Sequence, residues 1–132
     1  MLKTLRFPLL LLAALTSGAV MFQAGASAGG QTPAAEPRRV ALIGASGNVG
    51  SRVLAELVAR GHTVTGIARN PANITAHPRV TAVSGDVNEP EALAKILAGH
   101  DVVVSAVPFR NTDPETLIGA VRASGVRRWI IV

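Results

Sequence analysis

The stretch Val40-Ala41-Leu42-Ile43-Gly44-Ala45-Ser46-Gly47-Asn48-Val49-Gly50 constrains this chain more than any other. Four apolar residues run directly into a G-x-x-G-x-x-G turn, and a helical pattern follows. A short, wholly apolar run is the pattern of a strand buried on both faces of a parallel sheet. The glycines then divide the work. Gly44 takes the tight turn out of the strand, Gly47 lets backbone approach a ligand, and Gly50 lets helix and sheet come close. The first helical N–H groups, near Asn48 and Val49, lack intrahelical partners and sit at the positive end of the helix dipole. Such an end binds phosphate. A pyrophosphate-bearing dinucleotide is the expected ligand, with Gly44, Ser46, Gly47, Asn48, Val49 and Gly50 as its phosphate-side contacts. A P-loop would need Gly-Lys-Ser/Thr at the turn, and none is present.

The totals narrow the choice further. At 132 residues there is room for one domain, and with 48% hydrophobic but only 3% aromatic residues its core must be aliphatic. The chain has no cysteine, which excludes disulfides and thiolate metal sites. His62, His77 and His100 are scattered without metal-ligand spacing and are expected to be solvated residues at strand or loop ends. No metal site is expected. Setting aside Lys3 and Arg6 leaves eleven basic residues against eight acidic ones, a net of +3. The remaining arginines are dispersed, with no aromatic interleaving, so nucleic acid is not an expected partner.

Residues 1–28 do not read as part of the fold. Lys3 and Arg6 precede an apolar run from Phe7 to Leu15, and small residues follow, including Ala24-Gly25-Ala26 and Ala26-Ser27-Ala28. That is the pattern of a cleaved secretory leader, which would make the protein exported, periplasmic or secreted. Two other readings stay open: an uncleaved anchor, although Phe7 to Phe22 falls short of the ~20 residues of a spanning helix, and an unused upstream start, which would leave the protein cytoplasmic. No stable membrane span is expected once the leader is removed. Residues 29–39, rich in Gly, Pro and Ala, read as a linker.

Residues 40–132 alternate strand and helix patterns. The first helix carries Val49, Val53, Leu57 and their neighbours Leu54 and Val58 as its apolar stripe and stops at Gly61. Strands are expected over 62–68, 80–83, 101–107 and 129–132. A second helix opens at Asn88-Glu89-Pro90 and ends at Gly99. A third starts at Asp113-Pro114-Glu115 with Asp113 as N-cap, turns Leu117, Ile118 and Val121 inward, and is capped by Gly125. The link over 69–79 has room for at most a short helix. The fold class is therefore α/β: a Rossmann-type doubly wound parallel sheet of five strands in the order 3-2-1-4-5, expected to be truncated at its C-terminus within strand five.

In such a fold the end of strand two meets the adenosine ribose. An acid there holds the 2′-hydroxyl of NAD, whereas an arginine accommodates the 2′-phosphate of NADP. This strand ends Ala68-Arg69-Asn70, so NADP (NADPH) is favoured over NAD. A solvated strand-end arginine fits the same residue. Asp86 and Val87, after strand three, are placed to meet adenine, or Asp86 caps the following turn. Ser105, Ala106 and Val107, with Pro108 after them, are placed to line the channel toward the nicotinamide ribose.

From Arg39 to Val132 these segments, with Arg60-Gly61-His62-Thr63-Val64 and Ala98-Gly99-His100-Asp101-Val102, resemble the atypical short-chain dehydrogenase/reductases of the NAD(P)H-binding, NmrA-like group. That group includes NADH-flavin reductases and biliverdin reductase B-type enzymes. The resemblance implies binding of NADPH or NADH and hydride transfer to a flavin, a quinone or a similar small acceptor. The larger superfamily's Tyr-x-x-x-Lys is missing, since the chain has no tyrosine, although many members of the atypical group also lack it. No catalytic residue carries over, and neither acceptor nor oligomeric state is specified. Two alternatives stand beside the reductase: a non-catalytic NAD(P)-sensing NmrA-like regulatory module, and an inactive truncated fragment whose exposed Trp129 to Val132 would aggregate.

Overall fold

The computed structural model describes residues 35–132; the expected leader and residues 29–34 of the expected linker lie outside them. Five strands, β1 (Arg39–Ile43), β2 (Thr63–Ala68), β3 (Val80–Ser84), β4 (Val102–Ser105) and β5 (Trp129–Ile131), form one sheet in the order β3-β2-β1-β4-β5. Every pairing is parallel, with Leu42 opposite both Gly66 and Val104. Helices α1 (Asn48–Ala59), α2 (Pro90–Leu97) and α3 (Pro114–Ser124) make the crossovers, and the 69–79 link contains only a single 3-10 turn at Pro71–Asn73. The expected Rossmann-like topology is the observed one.

The core follows from the two-residue period of the central strands. Val40, Leu42, Val64, Val102 and Val104 face one layer, where Leu54 of α1 packs. Ala41, Ile43, Ile67 and Val103 face the other, against Leu93 and Leu97 of α2 and Leu117 and Val121 of α3. Burying each of these larger side chains contributes about 1.5–3 kcal/mol before the entropy of ordering it is subtracted. The edges differ. Thr81, Ala82 and Ser84 make the exposed side of β3 polar or small, whereas Ile130, Ile131 and Val132 are exposed at β5. Trp129 is half-buried against the α2–α3 cluster instead of lying open with them.

Several local expectations need correction. Val49 does not belong to the buried stripe of α1; it is 52% exposed, and Gly50 takes the inward position one turn before Leu54. In α3 the fully inward residues are Leu117, Ala120 and Val121, with Ile118 only half-buried. Strand β4 stops at Ser105 because the chain turns toward Pro108, although Ala106 N–H still donates to Ile43 O at 2.9 Å. Two histidines are internal fasteners. Buried His62 accepts the Arg38 N–H on Nδ1 at 3.1 Å. His100 contacts Leu97 O through Nδ1 at 3.0 Å and Thr65 Oγ1 through Nε2 at 2.7 Å. A carbonyl only accepts, so Nδ1 carries the proton, and in the neutral ring Nε2 accepts from the threonine hydroxyl.

Asp113 caps α3 as expected. Its carboxylate accepts from Thr116 N at 3.2 Å and from Thr116 Oγ1 at 2.6 Å. The threonine hydroxyl bond, helped by backbone N–H groups, holds the Asp113 carboxyl below its usual pKa of 3.8. A depressed acid stabilises the fold fully above that value and loses its contribution as pH falls through the lower, folded value. Asp113→Ala is therefore expected to lower the melting temperature at neutral pH and to have less effect in strong acid. Asp113→Asn should retain much of the cap. Thermal melts of both variants across acidic and neutral pH would check this.

Candidate functional site

The site is built where the strand order reverses, at the carboxyl ends of β1 and β4. Leaving β1, Gly44 adopts φ +83°, and a Cβ there would lie 2.7 Å from Ala106 O. Only glycine satisfies both the backbone angle and the closeness of the β4 exit. The turn is then fixed by three backbone hydrogen bonds. Gly44 and Ala45 N–H donate to Ile67 O at 2.9 and 3.1 Å, and Gly47 N–H donates to Gly44 O at 3.0 Å. Ser51 N–H donates to Gly47 O at 2.8 Å, which starts α1 with Gly47 as its N-cap. No side chain caps this helix, and its first turn contains no acid. The contrast with Asp113-capped α3 is chemical. Asn48, Val49 and Gly50 have no intrahelical acceptor at such an end, and no carboxylate within the first turn of the helix repels an anion there.

A cleft of about 230 Å³ opens beside this turn. From the expected set it is lined by Gly44, Ser46, Gly47, Arg69, Asp86, Val87, Ala106 and Val107. Asn48, Val49, Gly50 and Ser105 do not line it. Gly50 is buried under the turn, with its Cα side facing Gly44 O. Ser105 is 1% exposed, and its hydroxyl has no hydrogen-bond partner among the described residues. Arg69 is exposed at the end of β2, outside both ion pairs found among the described residues, Arg39–Asp101 and Arg60–Glu56. Asp86 both lines the cleft and caps its own turn, since Oδ1 accepts from Asn88 N at 2.9 Å. One carboxylate oxygen is thus committed, and the other remains for a ligand.

Pro108, expected beside the channel, also lines the cleft, whereas sequence reasoning did not pick out Asn88, Asn111 or Thr112, which line it as well. They reach the cleft through the irregular segments after β3 and β4, where periodicity gives no signal. Thr112 Oγ1 donates to Pro108 O at 3.4 Å and closes the second of these segments. Among the described residues no group of three or more His, Cys, Asp or Glu side chains is placed to hold a metal ion, and no helix is long and apolar enough to cross a membrane.

Comparison with known proteins shows the family. The family model described as NAD(P)H-binding matches residues 44–132. Over 65 residues the chain is 40% identical to the 3-beta-hydroxysteroid dehydrogenase of Mycolicibacterium neoaurum, covering 49% of this chain and 18% of that protein. Over 105 residues it is 29% identical to the photosystem II assembly factor Ycf39 of Synechocystis, covering 70% of this chain and 32% of that one. A solved structure from Burkholderia pseudomallei, provisionally described as an exported protein, matches with a TM-score of 0.59 at 36% identity, over 71% of this chain and 47% of that one. The chain thus spans about a third or less of these curated relatives and about half of that structure.

Proposed function

This chain belongs to the NAD(P)H-binding family, and from that premise we propose that it supplies the dinucleotide-binding part of an NADPH-dependent reductase whose acceptor is a flavin, a quinone or a similar small molecule. Within the family it falls, on this reading, in the atypical, NmrA-like and biliverdin reductase B-type group. The observation that carries the reading is the single cleft that joins the uncapped start of α1, Arg69, the Asp86-Val87 pair and the β4 exit. Its 230 Å³ lies below the roughly 300–1,000 Å³ of pockets that enclose a whole ligand. It suits the middle of an elongated molecule whose ends rest on the surface.

The residues present fit a dinucleotide. Ser46 and Gly47, which line the cleft, would hold the pyrophosphate together with the backbone N–H groups of Asn48 and Val49, which follow them in the chain outside that lining. Arg69 would pair with a 2′-phosphate by a fork of charge-assisted hydrogen bonds. Asp86 would accept from the adenine amino group, and Val87 would pack on the ring. Ala106 and Val107, with Ser105 behind them, would border the nicotinamide ribose. A bound NADPH supplies one hydride, carrying two electrons, and the acceptor takes one further proton from solvent. No side chain of this chain is assigned to the proton.

A second reading is a dinucleotide-sensing, non-catalytic module; one relative, Ycf39, is named as an assembly factor. Turnover separates the two. Loss of NADPH absorbance in the presence of a flavin or quinone acceptor is the result expected of the reductase. Nucleotide binding without turnover over a broad acceptor panel would leave the sensor. The proposed chain plan is a leader over 1–28, a linker over 29–39 and the binding domain over 40–132, with export as its consequence; the exported description of the Burkholderia protein supports it.

A further inference from the structure

Between Pro108 and Asn111, both of which line the cleft, stand Phe109 and Arg110, which do not. The segment over 108–112 is a closed turn. Ala106 N–H is held by Ile43 O before it, Thr112 Oγ1 reaches back to Pro108 O, and buried Thr112 leads straight into the Asp113 cap of α3. Fastened at both ends, the turn projects its middle outward at the rim. Phe109 is 47% exposed there and belongs to neither hydrophobic cluster of the core. Arg110 is exposed and belongs to neither of the ion pairs found among the described residues. The nearest acid in sequence, Asp113, is committed to Thr116. An aromatic face beside an uncommitted guanidinium is a complementary surface for a flat ring carrying an anionic group.

The geometry points to the 108–112 turn as the acceptor-recognition element of the cleft, with Phe109 stacking on a planar acceptor and Arg110 selecting one that carries a phosphate or carboxylate. This rests on the dinucleotide reading above and adds the acceptor's charge to it. Flavin mononucleotide and riboflavin share one ring and differ by a phosphate, so their affinities isolate that charge. Binding of each to the full chain, with and without NADP, should favour the mononucleotide by about tenfold, the worth of one charged hydrogen bond. Arg110→Gln should bring the mononucleotide to the riboflavin level and leave riboflavin and NADPH affinities unchanged. Phe109→Ala should weaken both flavins by about fivefold, the scale of a stacking contact. Equal binding of the two flavins by the unaltered protein, or binding of neither, would overturn the assignment. So would an Arg110→Gln variant that loses NADPH affinity instead, since Arg110 would then serve the dinucleotide. Failure of NADPH to bind at all, with flavin selectivity intact, would count against the dinucleotide reading alone.

Discussion

Replacing Gly50 by alanine should destabilise the domain by about 3 kcal/mol or more, the upper end of overpacking costs. A Cβ at this position would lie 1.9 Å from Gly44 O, 2.8 Å from Gly44 C and 3.2 Å from Ala45 Cα. All three are backbone atoms, so no rotamer change relieves the overlap. The start of α1 would have to move by roughly an ångström to restore ordinary contact, and the Gly47 N–H to Gly44 O bond that shapes the turn would go with it. Better helix propensity returns only about 1 kcal/mol. Gly119 is the control: it lies in α3, and a Cβ added there would meet nothing within 4 Å, so Gly119→Ala should stabilise by about 0.5–1 kcal/mol. Chemical denaturation of the two variants should therefore give opposite signs. A Gly50→Ala protein as stable as the parent would mean that strand and helix are not packed as described.

Reversing the charge at Arg69 should have the largest effect on ligand preference. Arg69 lines the cleft at the end of β2, and the ion pairs of the described residues do not include it. In the proposed complex its guanidinium meets the 2′-phosphate; a carboxylate there would replace attraction by repulsion and favour a ribose hydroxyl instead. Arg69→Glu should weaken NADPH binding by about a hundredfold, roughly the worth of a lost charged pair plus the new repulsion. NADH affinity should stay level or improve. Titrations of both nucleotides against both proteins measure this directly. A parallel loss for the two nucleotides would make Arg69 a general surface cation and remove it from the discrimination.

The topology was legible because it depends on features that sequence carries locally: apolar runs such as Val102-Val103-Val104, helix starts at Pro90 and Pro114, and stops at Gly61, Gly99 and Gly125. The first glycine turn was legible for the same reason, since strand, turn and helix are contiguous. What escaped depends on distant partners. The roles of His62 and His100 come from Arg38 and Thr65, lying 24 and 35 residues away, and no spacing rule reports such pairs. Val49 misled because it is in phase with Val53 and Leu57, while the inward line of α1 runs through Gly50 and Leu54. A glycine gives no apolar signal even where it marks the tightest contact. The rim residues Asn88, Asn111 and Thr112 sit in irregular segments whose path follows from the caps at their ends, Asp86 and Asp113.

The central claim is that a dinucleotide lies across the ends of β1 and β4 with its pyrophosphate at the start of α1. Amide chemical-shift mapping of the protein titrated with NADPH tests it most directly. Saturable shifts are expected over 44–50, at Arg69, at Asp86 and Val87, and over 105–107. The amino ends of the strands, at His62, His100 and Asp101, should stay still. Shifts confined to those amino ends or to the outer face of α2, or no shifts at saturating nucleotide, would contradict it.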